Sequence, residues 1–244
     1  MKDGRPSRIN DIRYFADNKS SYLKGCEDAV AFGRRVALYL NGEGYCLGAH
    51  TALYLLLTTD LQPGEVKLTN EGGDWWQRYT YVGVPQGFPD FANASEIVVQ
   101  ATIDALKENR PDLADMVDGA ARVTRIEADN LRLLIKSRRT KKFIIDTSLA
   151  IEAWPRPSRL FLSLIELASG AYLEAPPISV AFYHEAFDLA GQIGVNTSAI
   201  TLSANGSIGA QLTSERHGGV FVRTLDDFVS VSRPVFSKLV KMRG

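Results

Sequence analysis

The sequence predicts an α+β fold, two domains each built of paired strand–helix–strand–strand–strand units with helices on one face of antiparallel sheets. Three stretches of the 244-residue chain predict it. The clearest covers residues 178–225. Residues 178–182 alternate apolar and polar, residues 183–193 carry Phe187, Ala190 and Gly191 at helical spacing, and period two returns at 199–203, 208–212 and 220–224. Asn196, Asn205-Gly206-Ser207 and His217-Gly218-Gly219 separate these runs as turn residues. The same order recurs upstream, with a strand at 122–127, a helix at 129–139, and strands at 143–146, 150–154 and 159–165. A third, less clearly drawn pair of units occupies the first 92 residues.

Within that first domain, residues 9–18 read as a short helix. Ile12, Phe15 and Ala16 point inward, and Arg8, Arg13 and Lys19 point to solvent. Strands are expected at 29–32 and 35–40, with Asn41-Gly42 as the turn. The run Leu53 to Leu57 fits a strand or a buried helix. Leu53, Leu56 and Leu57 share a helical face and Pro63-Gly64 supplies a stop, so 50–60 is read as helix. Strands follow at 65–69 and 77–82.

Residues 93–109 form a helix, because Asn93 and Glu96 are spaced as a capping box and Val98, Ala101, Ala105 and Leu106 make one stripe ending at Arg110-Pro111. With the polar 112–119 segment it reads as a connector or insertion. Residues 233–243 read as an amphipathic helix with Phe236, Leu239 and Val240 on one side. The expected domains are therefore 1–92, a helical connector 93–120, a second domain 121–226, and a tail helix 227–244.

Composition narrows the class. Hydrophobic residues at 45% and charged residues at 23% are those of a soluble globular protein, and no apolar run of about 18 residues suggests a membrane span. The N-terminus lacks the apolar stretch of a signal peptide, and two cysteines, Cys26 and Cys46, make a reducing cytoplasm the expected location. With 28 basic and 28 acidic residues the net charge is zero, so nucleic-acid binding would rest on local patches.

Two constellations carry chemistry. The helix 129–139 places Arg132, Lys136 and Arg139 on its outward face, and Arg138, Lys141 and Lys142 extend the positive surface. Such a row reads as a solvated face or as sequence-independent phosphate contacts. The other is Gly44-Tyr-Cys-Leu-Gly48, which resembles the nucleophile elbow of dienelactone hydrolases, with His184 or His217 and Asp146 or Asp188 available as partners for Cys46. About 45 residues precede it, too few for the strands and helices that come before that elbow. Cys26, Cys46, His50, His184 and His217 lack paired metal-ligand spacing, no glycine-rich phosphate loop occurs, and neither metal nor cofactor is expected. One of the adjacent Trp75 and Trp76 would face outward as a partner anchor or a covered hydrophobic.

The strand and helix order of residues 178–224, with Tyr22-Leu-Lys-Gly25 and Gly87-Phe-Pro-Asp-Phe91 in the first domain, resembles bacterial DNA polymerase sliding clamps, in their two-domain phage-like form. The resemblance implies a non-catalytic processivity factor. Three chains would close a six-domain ring around duplex DNA and tether a DNA polymerase, with or without a clamp loader to place the ring. It implies that Arg132, Lys136, Arg138, Arg139 and Lys141, with Arg8, Arg13 and Lys19, face the DNA. It also implies that client peptides dock near Val222, Thr224 and Leu225. The alternatives are a cysteine hydrolase built on Cys46 and a β-rich, non-catalytic binding module such as a phage structural or immunity protein.

Overall fold

The computed structural model describes residues 6–16, 22–69 and 73–242. The fold is mixed α+β in two compact units, residues 1–128 with 241–244, and residues 129–240.

The first unit opens with β1 (Asp11–Ala16), followed by α1 (Glu27–Glu43), β2 (Ala52–Thr58), β3 (Val66–Leu68), β4 (Gln77–Gly83), α2 (Ala94–Asn109) and α3 (Ala114–Glu127). The strand order is β1-β2-β4-β3, with β1, β2 and β4 parallel and β3 antiparallel at the edge. Parallel neighbours need a long crossover, and α1 supplies it between β1 and β2. Ala29, Phe32, Val36, Ala37 and Leu40 fall on one stripe of α1 and are buried. Gly44 closes the helix at φ 94°, a left-handed cap that favours glycine. All seven residues of β2 are buried. Leu53, Leu55 and Leu57 share a core with α1, α2 and α3, each worth roughly 1.5–3 kcal/mol when fully buried. Beneath the helices the Tyr14 hydroxyl donates to Thr102 Oγ1 at 2.9 Å, which itself donates to the Val98 carbonyl.

The second unit holds β5 (Leu133–Arg139), β6 (Phe143–Ala150), β7 (Ser158–Glu166), β8 (Tyr172–Glu174), β9 (Ile178–Val180), α4 (Glu185–Leu189), β10 (Gln192–Val195), β11 (Ala199–Ser203), α5 (Ile208–Arg216), β12 (Phe221–Thr224) and β13 (Val229–Ser230). An antiparallel sheet runs β13-β8-β7-β6-β5, with β9 also on β7, and β10-β11-β12 form a smaller one. After β13 the chain continues to the opposite edge of the larger sheet. There Arg132 N donates to the Val235 carbonyl at 3.0 Å and Ser237 N to the Arg132 carbonyl at 2.9 Å.

Several sequence expectations are corrected. Residues 11–16 are a strand and not a helix, and 27–43 are one helix where two strands were expected. The alternation in Val36 to Leu40 is local, whereas the stripe from Ala29 to Leu40 is helical over three turns. Residues 52–58 are a strand, the fully buried kind whose apolar run carries no period. The 122–127 segment is the end of α3, and 129–139 is a short 3-10 turn followed by β5. A register shift between Leu134 and Lys136 breaks β5's alternation, which is why its sequence imitates a helical face. Residues 208–216 are helical because the Ser207 side chain accepts from Ala210 N and caps them. No helix occurs among the described residues after 227, and the Asn93 side chain makes no cap. The 93–120 stretch is no connector: α2 and α3 bury Val98, Leu106, Val117 and Ala121 in the first unit's own core. Neither unit has a strand–helix–strand–strand–strand pair in the expected places.

Candidate functional site: the aromatic face of the first sheet

Three parallel strands with side chains at period two set up rows across the face of the first sheet opposite the helices. Asp11, Ala52 and Gln77 make one row, Arg13, Tyr54 and Tyr79 the next, and Phe15, Leu56 and Tyr81 the third. Phe15, Ala52, Tyr54, Leu56 and Tyr79 form a cluster of their own, flanked by Trp76 and Tyr81, and no helical residue belongs to it. Trp76 is held at the start of β4 because its carbonyl accepts from both Thr51 N and Ala52 N, at 2.9 and 3.1 Å.

The rings form a continuous floor. Tyr54 lies 5.6 Å from Phe15, 5.8 Å from Trp76 and 5.1 Å from Tyr79, and Tyr22 adds a ring 4.8 Å from Phe15 that is 61% exposed. Arg13 lies above it, 5.4 Å from the Tyr54 ring and 5.7 Å from that of Trp76. The polar tips satisfy one another. Tyr54's hydroxyl accepts from Arg13 Nη1 at 3.0 Å and Gln77 Nε2 at 3.1 Å, and Gln77 Oε1 accepts from the Tyr79 hydroxyl at 3.0 Å.

Arg13 Nε donates to Asp11 Oδ2 at 3.0 Å. Burial works against the Arg13 cation, but the Asp11 hydrogen bond and charge outweigh it and hold its pKa above the ordinary value. Burial also raises the Tyr54 phenol, opposed by Arg13 and Gln77, so the hydroxyl stays neutral. The face therefore presents the exposed Tyr22 ring, the half-buried Trp76 and one paired cation beside the rings of Phe15, Tyr54 and Tyr79, which are themselves buried. It suits stacking and apolar contact more than recognition of free charge.

The other expected site residues are dispersed. Arg8 Nη1 donates to the Asn41 carbonyl at 2.7 Å and so caps the end of α1. Lys19 lies outside the described residues. Arg132, expected on an outward helical face, is buried at the head of β5 with its guanidinium carbon 3.5 Å from the Phe161 ring centre and Glu174 at 3.8 Å. Its pKa is lowered by burial, against the pull of Glu174. Lys136 donates to the Gly191 carbonyl and Arg138 to that of Ile193. Arg138, Arg139 and Lys141 are exposed at the β5–β6 hairpin end. Val222 and Thr224 are exposed on β12, which among the described residues pairs with β11 alone, and Leu225 is half-buried.

Cys46 follows a helix and precedes a strand, the reverse of the strand–turn–helix order of an elbow. Its thiol donates to the Gly44 carbonyl at 3.2 Å. His217 faces Glu185 at 3.4 Å, and Asp188 accepts from Thr213 at 3.2 Å, so neither is partnered with Cys46. Among the described residues no group of three or more His, Cys, Asp or Glu is placed to hold a metal ion, and no helix is long and apolar enough to cross a membrane.

The sequence reading isolated Trp75 and Trp76 but missed the floor. Asp11, Arg13 and Phe15 alternate, as do Gln77, Tyr79 and Tyr81, and reading β1 as a strand would have exposed that signal. No family model matches the chain, and neither the curated proteins nor the solved structures contain a match.

Proposed function

We propose that the protein is a non-catalytic binding module that docks a protein partner on the aromatic face of its first sheet. It would act as an immunity or small phage structural protein acts, by occupying a surface. One observation carries this reading: the exposed Tyr22 and the half-buried Trp76 and Arg13 stand beside a row of buried rings, Phe15, Tyr54 and Tyr79, on a sheet face that no helix covers among the described residues. Tyr, Trp and Arg dominate interface energetics because they bury large areas with few rotatable bonds. The internally bonded hydroxyls mean that covering this face leaves few polar groups unpaired. Asp11 and Arg13 neutralise each other, so the matching partner surface is flat and apolar or aromatic.

The test is a photo-crosslinking residue placed at Tyr22, with a control at Ile126, which is 72% exposed on α3. One discrete protein adduct from position 22, reproduced with both proteins purified, is the expected result. Absence of an adduct, or the same adducts from 126, would end this reading.

Duplex-DNA binding, including the sliding clamp, is the second reading. Its support is the hairpin end where Arg138, Arg139, Lys141 and Lys142 are exposed together, a patch of the kind that meets phosphates. Retention of a trimer on closed circular DNA, released when the DNA is linearised, would favour it over the first.

A further inference from the structure

A cavity of about 180 Å³ opens in the first unit beside the end of β4. Its walls are the apolar side chains of Pro63, Val82, Pro85, Ile97 and Ala101. The space is half-open to solvent, and its volume is on the scale of the phenyl group of Phe or the isobutyl group of Leu. The walls are preformed. Gly64 N donates to the Gly83 carbonyl at 2.9 Å and Gly83 N to the Glu65 carbonyl at 2.8 Å, pinning the loop to β4. At Gly83 the approach is so close that an added Cβ would lie 1.9 Å from the Gln62 carbonyl oxygen.

The rim is acidic. Asp104 lines the mouth with Gln100, whose amide donates to it at 2.9 Å, and among the described residues no cation pairs with Asp104. Asp60 and Glu65 are exposed on the adjoining loop, while Lys107 on α2 is engaged by Asp118 at 2.6 Å. Lys67 on β3 is the other cation of this edge.

We propose that this cavity is an anchor site for one benzene-sized apolar side chain, Phe or Leu, carried on a cationic segment of a partner polypeptide. The apolar walls supply the affinity, and the Asp104 rim selects positive flanking residues. The assignment stands apart from the aromatic face, being built on α2, β4 and the loop before β3.

Fluorine NMR tests it with three probes: fluorobenzene, a pentapeptide with 4-fluorophenylalanine between pairs of lysines, and its glutamate counterpart. The lysine peptide is expected to bind at least fivefold more tightly than the glutamate one at low salt, and Asp104→Asn to erase that preference while sparing fluorobenzene. Ala101→Leu, which fills the cavity, should weaken all binding tenfold. Ile97→Phe, at a half-buried position, serves the same purpose if the first variant does not fold. Tyr22→Ala should leave the probes unaffected. No response from fluorobenzene, indifference to both filling variants, equal binding of the two peptides, or loss of binding in Tyr22→Ala would each overturn the assignment.

Discussion

Arg13 on β1 and Arg132 at the head of β5 each hold a guanidinium over an aromatic ring, 5.4 Å from Tyr54 in one case and 3.5 Å from Phe161 in the other. Their settings differ. The Arg13 side chain is 37% exposed and bonded at 3.0 Å to Asp11, whereas that of Arg132 is 11% exposed with Glu174 at 3.8 Å and no hydrogen bond to its Nε. Charge stabilises the first cation beyond its ordinary state, and burial strains the second. The part-exposed Arg13 is held at the surface by Asp11 and the Tyr54 hydroxyl, while Arg132, sealed over a ring, holds its own fold together.

The largest test of that contrast is Arg132→Ala. It leaves the largely buried Glu174 carboxylate with the Tyr172 hydroxyl, 2.5 Å away, as its one side-chain partner among the described residues. Loss of one member of a buried pair costs about 3–5 kcal/mol, for the volume-keeping Arg132→Met as for Arg132→Ala, whereas Arg132→Met combined with Glu174→Leu, which removes both charges, should cost about 1 kcal/mol or less. Urea unfolding reads all three. A loss confined to Arg132→Ala, with Arg132→Met near wild type, would mean that Arg132 contributes packing alone.

The helix side of the first sheet is tightly packed. At Gly33 an added Cβ would lie 1.6 Å from the Tyr14 hydroxyl oxygen, so Gly33→Ala should destabilise by about 2–3 kcal/mol through overpacking. Helix propensity alone predicts the opposite sign, a gain of about 1 kcal/mol, so thermal unfolding separates the two. On the aromatic face, Tyr54→Phe removes the acceptor for Arg13 and Gln77 and should cost about 1 kcal/mol in the same assay.

Burial raises the pKa of Asp146 on β6, against the Ser137 hydrogen bond and the Arg233 charge. A raised acid binds its proton more tightly when folded. Its stabilising share is thus present below the unfolded value, near 3.8, and lost as pH rises through the folded one. Wild type should therefore gain stability relative to Asp146→Asn as pH falls from 7 toward 4, as measured by urea midpoints at each pH. A constant difference would remove Asp146 as the cause. The smallest effect belongs to the exposed hairpin, where replacing Arg139 and Lys141 with Ala should change stability by less than about 0.5 kcal/mol.

What the sequence revealed depended on whether one period governed a whole segment. The stripe of α2 and the alternation of β11 were legible because each has a single apolar face. β2 was not, since both of its faces are buried and its apolar run is aperiodic. β5 was misread because its bulge shifts Lys136 out of alternation, and α1 because five residues of local alternation masked a longer helical stripe. The aromatic face was hidden for a topological reason. Its rows join residues some forty and twenty-five positions apart, from Arg13 to Tyr54 to Tyr79, and only the parallel pairing brings them together.

The most direct measurement is the affinity of the partner crosslinked at position 22, by titration calorimetry with wild type, Tyr22→Ala and a combined Arg138→Ala, Arg139→Ala and Lys141→Ala variant. A loss of about tenfold or more for Tyr22→Ala, with the unfolding midpoint unchanged and the triple variant binding as wild type, is the predicted result. Unchanged binding in Tyr22→Ala, with the loss confined to the triple variant, would contradict the aromatic face as the docking surface.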